Sequence, residues 1–142
     1  MSAIESAESF IARKKGELLA RPVFAADIGR RGRLVWTREA VTLRRQTSDP
    51  YKVFMVERLR LARIEGERLR AEGATEGEVQ FRFGYYTVAR TGKWWWGQYA
   101  PFIPASDLGP LLELARRETT LPSDDERDVS GGHAPPAWPR HP

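Results

Sequence analysis

The sequence predicts a small α+β domain in which an antiparallel sheet with a prominent aromatic hairpin packs against two or three helices. Three observations lead to this class. Short alternating segments bounded by Gly and Pro predict strands, and segments with apolar residues at helical spacing predict helices. Residues 81–99 carry eight aromatics on the two sides of a Thr-Gly turn. The 142 residues suffice for one domain, and an apolar fraction of 41% suffices for an ordinary core.

The first elements are a helix and a strand pair. Apolar residues at helical spacing predict a helix over residues 4–20, which ends before Pro22 because the residue preceding proline avoids the α region. Residues 23–28 predict a short strand, and a turn leads to a returning strand over residues 34–36. A helix capped by Thr37 and a continued strand both fit residues 41–43, so both remain open.

A longer helix is predicted next. Ser48, Asp49 and Pro50 form a typical helix start, and the apolar spacing carries this helix over residues 49–71. Its second face would bear a basic stripe that meets phosphates. The stripe consists of Lys52, Arg60, Arg63 and Arg70. A basic helix followed by a basic hairpin resembles the layout of winged-helix DNA-binding domains.

The hairpin over residues 79–104 supplies the main candidate site. A two-residue turn at Thr91-Gly92 would pair Arg90 with Lys93 and so fix which side chains share a face. One face then packs on the helices, and the other combines rings that stack on bases with cations that hold phosphates. The predicted nucleic-acid-binding residues on that second face are Arg82, Tyr86, Arg90, Lys93, Trp95 and Tyr99. Burial of these rings as ordinary core remains the alternative, because a slip of one residue exchanges the two faces.

A final helix is predicted over residues 106–117, and the remainder is predicted to be a disordered acidic, Pro-rich tail. The division is therefore one basic domain over residues 1–117 and a tail over residues 118–142. The domain holds 21 Lys and Arg against 14 Asp and Glu, a net charge of +7, whereas the whole chain carries +4. A basic body favours a polyanion such as DNA or RNA as partner.

Several function classes are disfavoured by composition. The chain has no cysteine, and both histidines, His133 and His141, lie in the predicted tail. A thiolate or histidine metal site and a hydrolase triad therefore lack their residues, and no cofactor is expected. An apolar run of membrane-spanning length and a signal-peptide core are both missing from the sequence, so we expect a cytoplasmic protein without membrane contact.

The sequence thus favours a non-enzymatic nucleic-acid-binding protein that uses the aromatic-basic hairpin face on single strands or an irregular duplex. Two alternatives remain. The exposed aromatics could instead form a protein-interaction or homodimer surface, since Trp, Tyr and Arg are typical of such surfaces. A small metal-dependent nuclease would require carboxylates, for which Asp27, Glu39 and Glu78 are the candidates.

Overall fold

The fold is a five-stranded antiparallel meander with one helix on each face. The computed structural model of the chain describes residues 3–26, 32–66 and 75–122. Its elements in chain order are α1 (Ala7–Leu19), β1 (Val23–Ala26), β2 (Arg33–Arg45), β3 (Lys52–Glu65), β4 (Val79–Val88), β5 (Trp94–Trp96) and α2 (Ala105–Arg117). The strands pair in the order β1-β2-β3-β4-β5. The predicted α+β class is confirmed, with two helices in the described part of the chain.

Helix α1 covers one face of the sheet, called the α1 face below. Ser6 caps the helix by accepting a hydrogen bond from the backbone N–H of Ser9 at 3.1 Å. Phe10 and Leu18 are buried against apolar side chains of the central strands. Those strand residues are Val41, Leu43, Val53, Met55 and Tyr86. The helix predicted for residues 4–20 is therefore confirmed, and burial of its apolar stripe attaches it to the sheet.

Helix α2 covers the opposite face, called the α2 face below. Its Leu111 and Ala115 pack on Phe54 and Val56 of β3. The helix predicted for residues 106–117 is thus confirmed. Residues just beyond it continue onto the sheet, since Thr120 is buried with its hydroxyl 2.8 Å from that of Thr42. Most of the predicted disordered tail, residues 123–142, lies outside the described residues.

A buried carboxylate anchors the start of α2. Asp107 accepts hydrogen bonds from the guanidinium of Arg44 at 2.7 Å and from the hydroxyl and backbone N–H of Thr47 at 2.7 and 3.0 Å. The Thr47 hydroxyl, followed by Arg44, lowers the pKa of Asp107 below its usual range. The negative charge of Asp107 therefore stabilises the packing of α2 on the sheet as long as this carboxylate is ionised.

The helix predicted over residues 49–71 is wrong, because Lys52–Glu65 forms strand β3. Strand β3 is central, and helices cover it from both sides, so Val53 and Met55 are buried on the α1 face while Phe54 and Val56 are buried on the α2 face. A strand buried on both faces loses the two-residue alternation that identifies strands in sequences. The supposed helix start is a turn, in which the carboxylate of Asp49 accepts from the N–H two residues on, at 2.9 Å.

Strand β2 settles the open choice at residues 41–43 in favour of the continued strand. It runs unbroken over Arg33–Arg45 and pairs with β3 along its whole length. Its register shifts between Val35 and Trp36 and again between Arg38 and Ala40. Such bulges bend a strand and increase its twist, which accounts for the curl of the sheet.

Candidate functional site

The hairpin loop has three residues rather than the predicted two. The backbone N–H of Ala89 donates to the carbonyl of Lys93 at 2.8 Å, which leaves residues 90–92 as the loop. Gly92 adopts a φ of 83°, the left-handed conformation that three-residue hairpin loops need and that glycine takes without strain. Strand β5 is therefore displaced by one residue from the predicted register.

Because of this displacement, each tryptophan of β5 lies on the face opposite to the one predicted. The observed pairs are Tyr86 with Trp96, Thr87 with Trp95, and Val88 with Trp94. Trp94 and Trp96 consequently lie with Tyr86 on the α1 face, whereas Trp95 lies on the α2 face. The predicted grouping of Trp95 with Arg82 and Tyr86 is wrong, since side chains alternate along a strand and one extra loop residue exchanges them all.

Two glycines accommodate large rings on the hairpin. A side chain at Gly84 would overlap the indole of Trp96, and a side chain at Gly97 would overlap the ring of Tyr85. Each ring thus lies flat on a neighbouring backbone, on opposite faces of the sheet. The rings fill the space that the missing side chains leave, and this fixes their orientation.

A buried carboxylate joins two arginines on the α1 face. Glu57 is fully buried, and its two oxygens accept from Nε of Arg38 at 2.6 Å and from Nε of Arg82 at 2.7 Å. Arg38 also donates from Nη1 to the carbonyls of Leu18 and Arg21 at 3.4 and 3.2 Å. Arg82, predicted as a phosphate contact, is therefore held in place by Glu57 through one edge of its guanidinium.

Tyr86 belongs to the core beside this cluster. Only 5% of the residue is exposed, and its ring meets those of Phe10 and Trp96 edge-on, with centroids 5.1 Å away in each case. Burial, followed by the nearby charge of Glu57, raises the pKa of Tyr86 to about 12. A ring packed in this way has no free face on which a base could stack.

A cleft of about 330 Å³ opens next to the cluster. Its lining consists of Lys14 from α1, Arg38 from β2, and Arg82, Tyr86, Trp94, Trp95 and Trp96 from the hairpin. The guanidinium of Arg82 lies 5.3 Å from the ring centroid of Trp96, and Nζ of Lys14 lies 5.6 Å from that of Tyr86. The cleft therefore combines cationic and aromatic walls.

The α2 face of the hairpin carries a different surface, which we call the aromatic patch. It contains Phe81, Phe83, Trp95, Tyr99 and Phe102, all exposed. Trp95 is 56% exposed, Tyr99 78% and Phe102 84%. The last two belong to the segment from β5 to α2, which crosses this face, since Ile103 packs against the α2 core and Nζ of Lys52 lies 3.5 Å from the Phe102 carbonyl oxygen.

The predicted basic stripe does not exist as a helix face. Arg60 donates to the carboxylate of Glu39 at 2.9 Å and to the Gly77 carbonyl at 2.8 Å, and Arg63 donates to Glu65 at 2.7 Å. Lys52 instead lies beside the aromatic patch, 5.1 Å from the ring centroid of Tyr85. Arg70 lies outside the described residues. The winged-helix layout is therefore wrong, because the helix that it requires is strand β3.

The other predicted cations are Arg90, the first residue of the hairpin loop, and Lys93, which directly follows the loop; both are exposed. They form no ion pair with another residue in the described ranges. Lys52 and Trp95 lie on the α2 face by strand register, and Tyr99, Arg90 and Lys93 are exposed in the segments that border β5. Arg82 and Tyr86 belong to the cleft on the other face. The predicted site residues divide between two surfaces.

The carboxylates considered for a nuclease have other contacts. Glu39 accepts from Arg58 at 3.2 Å as well as from Arg60, and these hydrogen bonds, that of Arg60 foremost, lower the pKa of Glu39. Glu78 accepts from the backbone N–H of Thr75 at 3.2 Å. Asp27 lies outside the described residues. Within the described ranges, His, Cys, Asp and Glu form no group of three that could hold a metal ion.

Comparisons with protein-family models, curated proteins and solved structures found no match for this chain. The described helices are all too short or too polar to cross a membrane.

The sequence did not identify three residues of the cleft cluster, Glu57, Arg38 and Lys14, which come from three separate elements. A usable signal was the alternation of Arg58 and Arg60 with Leu59 and Leu61, which is typical of a strand and places Glu57 on the apolar side.

Proposed function

We propose that the protein binds single-stranded or irregular nucleic acid through the aromatic patch on the α2 face. The observation that supports this most is the exposure of Phe81, Phe83 and Trp95 on one side of the sheet, together with exposed Tyr99 and Phe102 in the segment that follows β5. Large exposed apolar patches on small proteins mark interaction sites. Flat exposed rings stack on bases of any sequence, at about 1–3 kcal/mol per base.

Charge near the patch supports a polyanionic ligand. Lys52 lies between the Tyr85 ring and the Phe102 carbonyl, and Arg90 and Lys93 are exposed at the hairpin loop, which connects β4 to the strand that carries Trp95. None of these three cations is neutralised by a carboxylate of the described residues. Free ammonium and guanidinium groups beside stacking rings hold the phosphates of a strand whose bases lie on the rings.

Fluorescence anisotropy with labelled single-stranded and duplex DNA and RNA, titrated with salt, tests this function. We expect single strands to bind best, with affinity falling steeply as salt rises. The variant Trp95→Ala/Phe102→Ala should weaken binding by about 10- to 100-fold, because two stacking platforms are lost. Phe24→Ala removes an equally exposed ring from β1, 51% exposed, and serves as the matched control that leaves binding unchanged.

Two outcomes would overturn the proposal. One is a lack of binding to every nucleic acid at low salt. The other is equal loss of affinity in the control and in the patch variant, since a general charge effect would then explain the binding without base stacking. Circular dichroism of each variant confirms that the fold is retained.

A homodimer is the second candidate, and the open edge of β4 favours it. Strand β5 pairs only with Tyr86, Thr87 and Val88, so no described strand borders the rest of β4 on that side. Phe81 and Phe83 are exposed along this edge. Edge strands with apolar side chains readily pair with a second copy of themselves. Light scattering after size exclusion should then give twice the chain mass, and Phe81→Ser should reduce it to the monomer mass.

A further inference from the structure

The cleft on the α1 face is not used by the proposed strand binding and has the character of a second site. Arg38 and Arg82 meet there around one carboxylate, Glu57, and the ammonium of Lys14 lies 3.6 Å from the carboxylate of Glu17. These three cations and two carboxylates leave an excess of one positive charge at the cleft. A small anion would balance this excess.

Several hydrogen-bond donors in the cleft remain available. Arg82 donates to Glu57 from Nε, and its two terminal nitrogens make no hydrogen bond to a described residue. Arg38 likewise uses Nε and Nη1 within the protein and keeps Nη2 without a partner among the described residues. Guanidinium groups held by a carboxylate are oriented in advance, so they lose little side-chain freedom when they bind a phosphate.

The aromatic walls of the cleft are equally fixed. Trp94 stacks on Phe10 with ring centroids 4.6 Å apart, and its indole N–H donates to the carbonyl of Glu5 at 2.8 Å. Trp96 lies on the backbone of Gly84 and meets Tyr86 edge-on. Rigid rings beside cationic groups favour a ligand that is planar and apolar at one end and anionic at the other.

We propose that this cleft binds a free nucleoside monophosphate. The phosphate would contact Arg82, Arg38 and Lys14, and the base would contact the wall of Trp94 and Trp96. A phosphate monoester is anionic at neutral pH, so it complements the positive charge at the cleft. The volume of about 330 Å³ lies near the lower end of the range for small-molecule sites, and this suits one nucleotide rather than a dinucleotide.

Isothermal titration calorimetry with AMP, UMP, adenosine and inorganic phosphate tests the assignment. We expect each nucleotide to bind at least tenfold more tightly than adenosine or phosphate alone, since only the nucleotide engages both walls. Lys14→Gln should weaken AMP binding three- to tenfold. Lys15→Gln is the matched control, because Lys15 also lies on α1 in a surface ion pair, with Glu118 at 3.2 Å, but does not line the cleft.

Four results would overturn the assignment. The site is refuted if AMP gives no binding at millimolar concentration, or if the Lys14 and Lys15 variants bind AMP equally. Equal affinity for AMP and inorganic phosphate would refute recognition of the base. A preference for 5′-phosphorylated over 5′-hydroxyl oligonucleotides that disappears in Lys14→Gln would assign the cleft to strand ends instead of free nucleotides.

The same measurements separate this inference from the proposed strand binding, which uses the opposite face. Phe102→Ala, which changes the aromatic patch but no residue of the cleft lining, should leave AMP binding unchanged, and Lys14→Gln should leave the affinity for a 5′-hydroxyl strand within about twofold. Loss of AMP binding in Phe102→Ala alone would place the nucleotide on the aromatic patch and refute the cleft.

Discussion

The two faces of the β4–β5 hairpin use the same residue types in opposite ways. On the α1 face, Arg82 and Tyr86 are held by Glu57, Phe10 and Trp96. On the α2 face, the rings of the aromatic patch extend into solvent past the edge of α2. Helix α1 reaches over the hairpin, whereas the core contacts of α2 are with Phe54, Val56 and Tyr85 rather than with the patch.

This difference shows that composition alone does not identify a binding surface. Arginine beside tyrosine and tryptophan is a fixed cluster where a helix covers it, and it then suits a small ligand of defined shape. Exposed rings without such support suit a flexible polymer that adapts to them. Placement relative to the helices therefore decides which side chains of the hairpin are held in the fold and which are exposed.

The largest expected effect is on the α1 face. Glu57→Ala should lower the free energy of unfolding by about 3–5 kcal/mol, because it removes a fully buried carboxylate and leaves the largely buried Arg38 without its counter-charge. Glu39→Ala, which removes a half-buried carboxylate paired with Arg58 and Arg60 on the α2 face, should cost less than about 1 kcal/mol. Urea denaturation measures both, and equal costs would contradict the contrast between the faces.

A smaller effect is expected at high pH. Tyr86 is neutral in the folded protein up to a pKa of about 12, whereas it ionises near pH 10 when unfolded. Its contribution to stability is therefore complete below pH 10 and falls between pH 10 and 12, by up to about 3 kcal/mol. Denaturation at pH 9 and pH 11.5 should show a smaller pH effect in Tyr86→Phe than in the wild type.

Tyr99→Phe provides the comparison for that titration. Its ring is 78% exposed on the α2 face, so we expect this variant to keep the pH dependence of the wild type. An identical pH dependence in wild type and Tyr86→Phe would mean that the Tyr86 ring is more hydrated than its packing indicates.

The smallest expected effect is on the aromatic patch. Phe102→Ala and Trp95→Ala should each change the free energy of unfolding by less than about 0.5 kcal/mol, because Phe102 is 84% exposed and Trp95 56%. Thermal unfolding followed by circular dichroism gives these values. A cost above about 2 kcal/mol for either variant would show that the patch is part of the core and would remove the basis for strand binding.

The sequence was sufficient for the elements whose pattern comes from local chemistry. Helix α1 shows one apolar stripe and a proline after its end, α2 shows a stripe from Leu111 to Ala115, and Gly92 marks the hairpin loop. The aromatic and basic character of the hairpin was also evident, so Trp95, Tyr99, Arg90 and Lys93 were identified as candidates from the residues alone.

Only the tertiary structure decided the nature of β3, the sides of the hairpin and the cleft. Strand β3 is apolar on both faces because two helices cover it, and this removes the alternation that would have distinguished it from a helix. One additional loop residue reversed every β5 side chain. Glu57, Arg38 and Lys14 are far apart in sequence and meet only because antiparallel pairing and the docking of α1 bring them together.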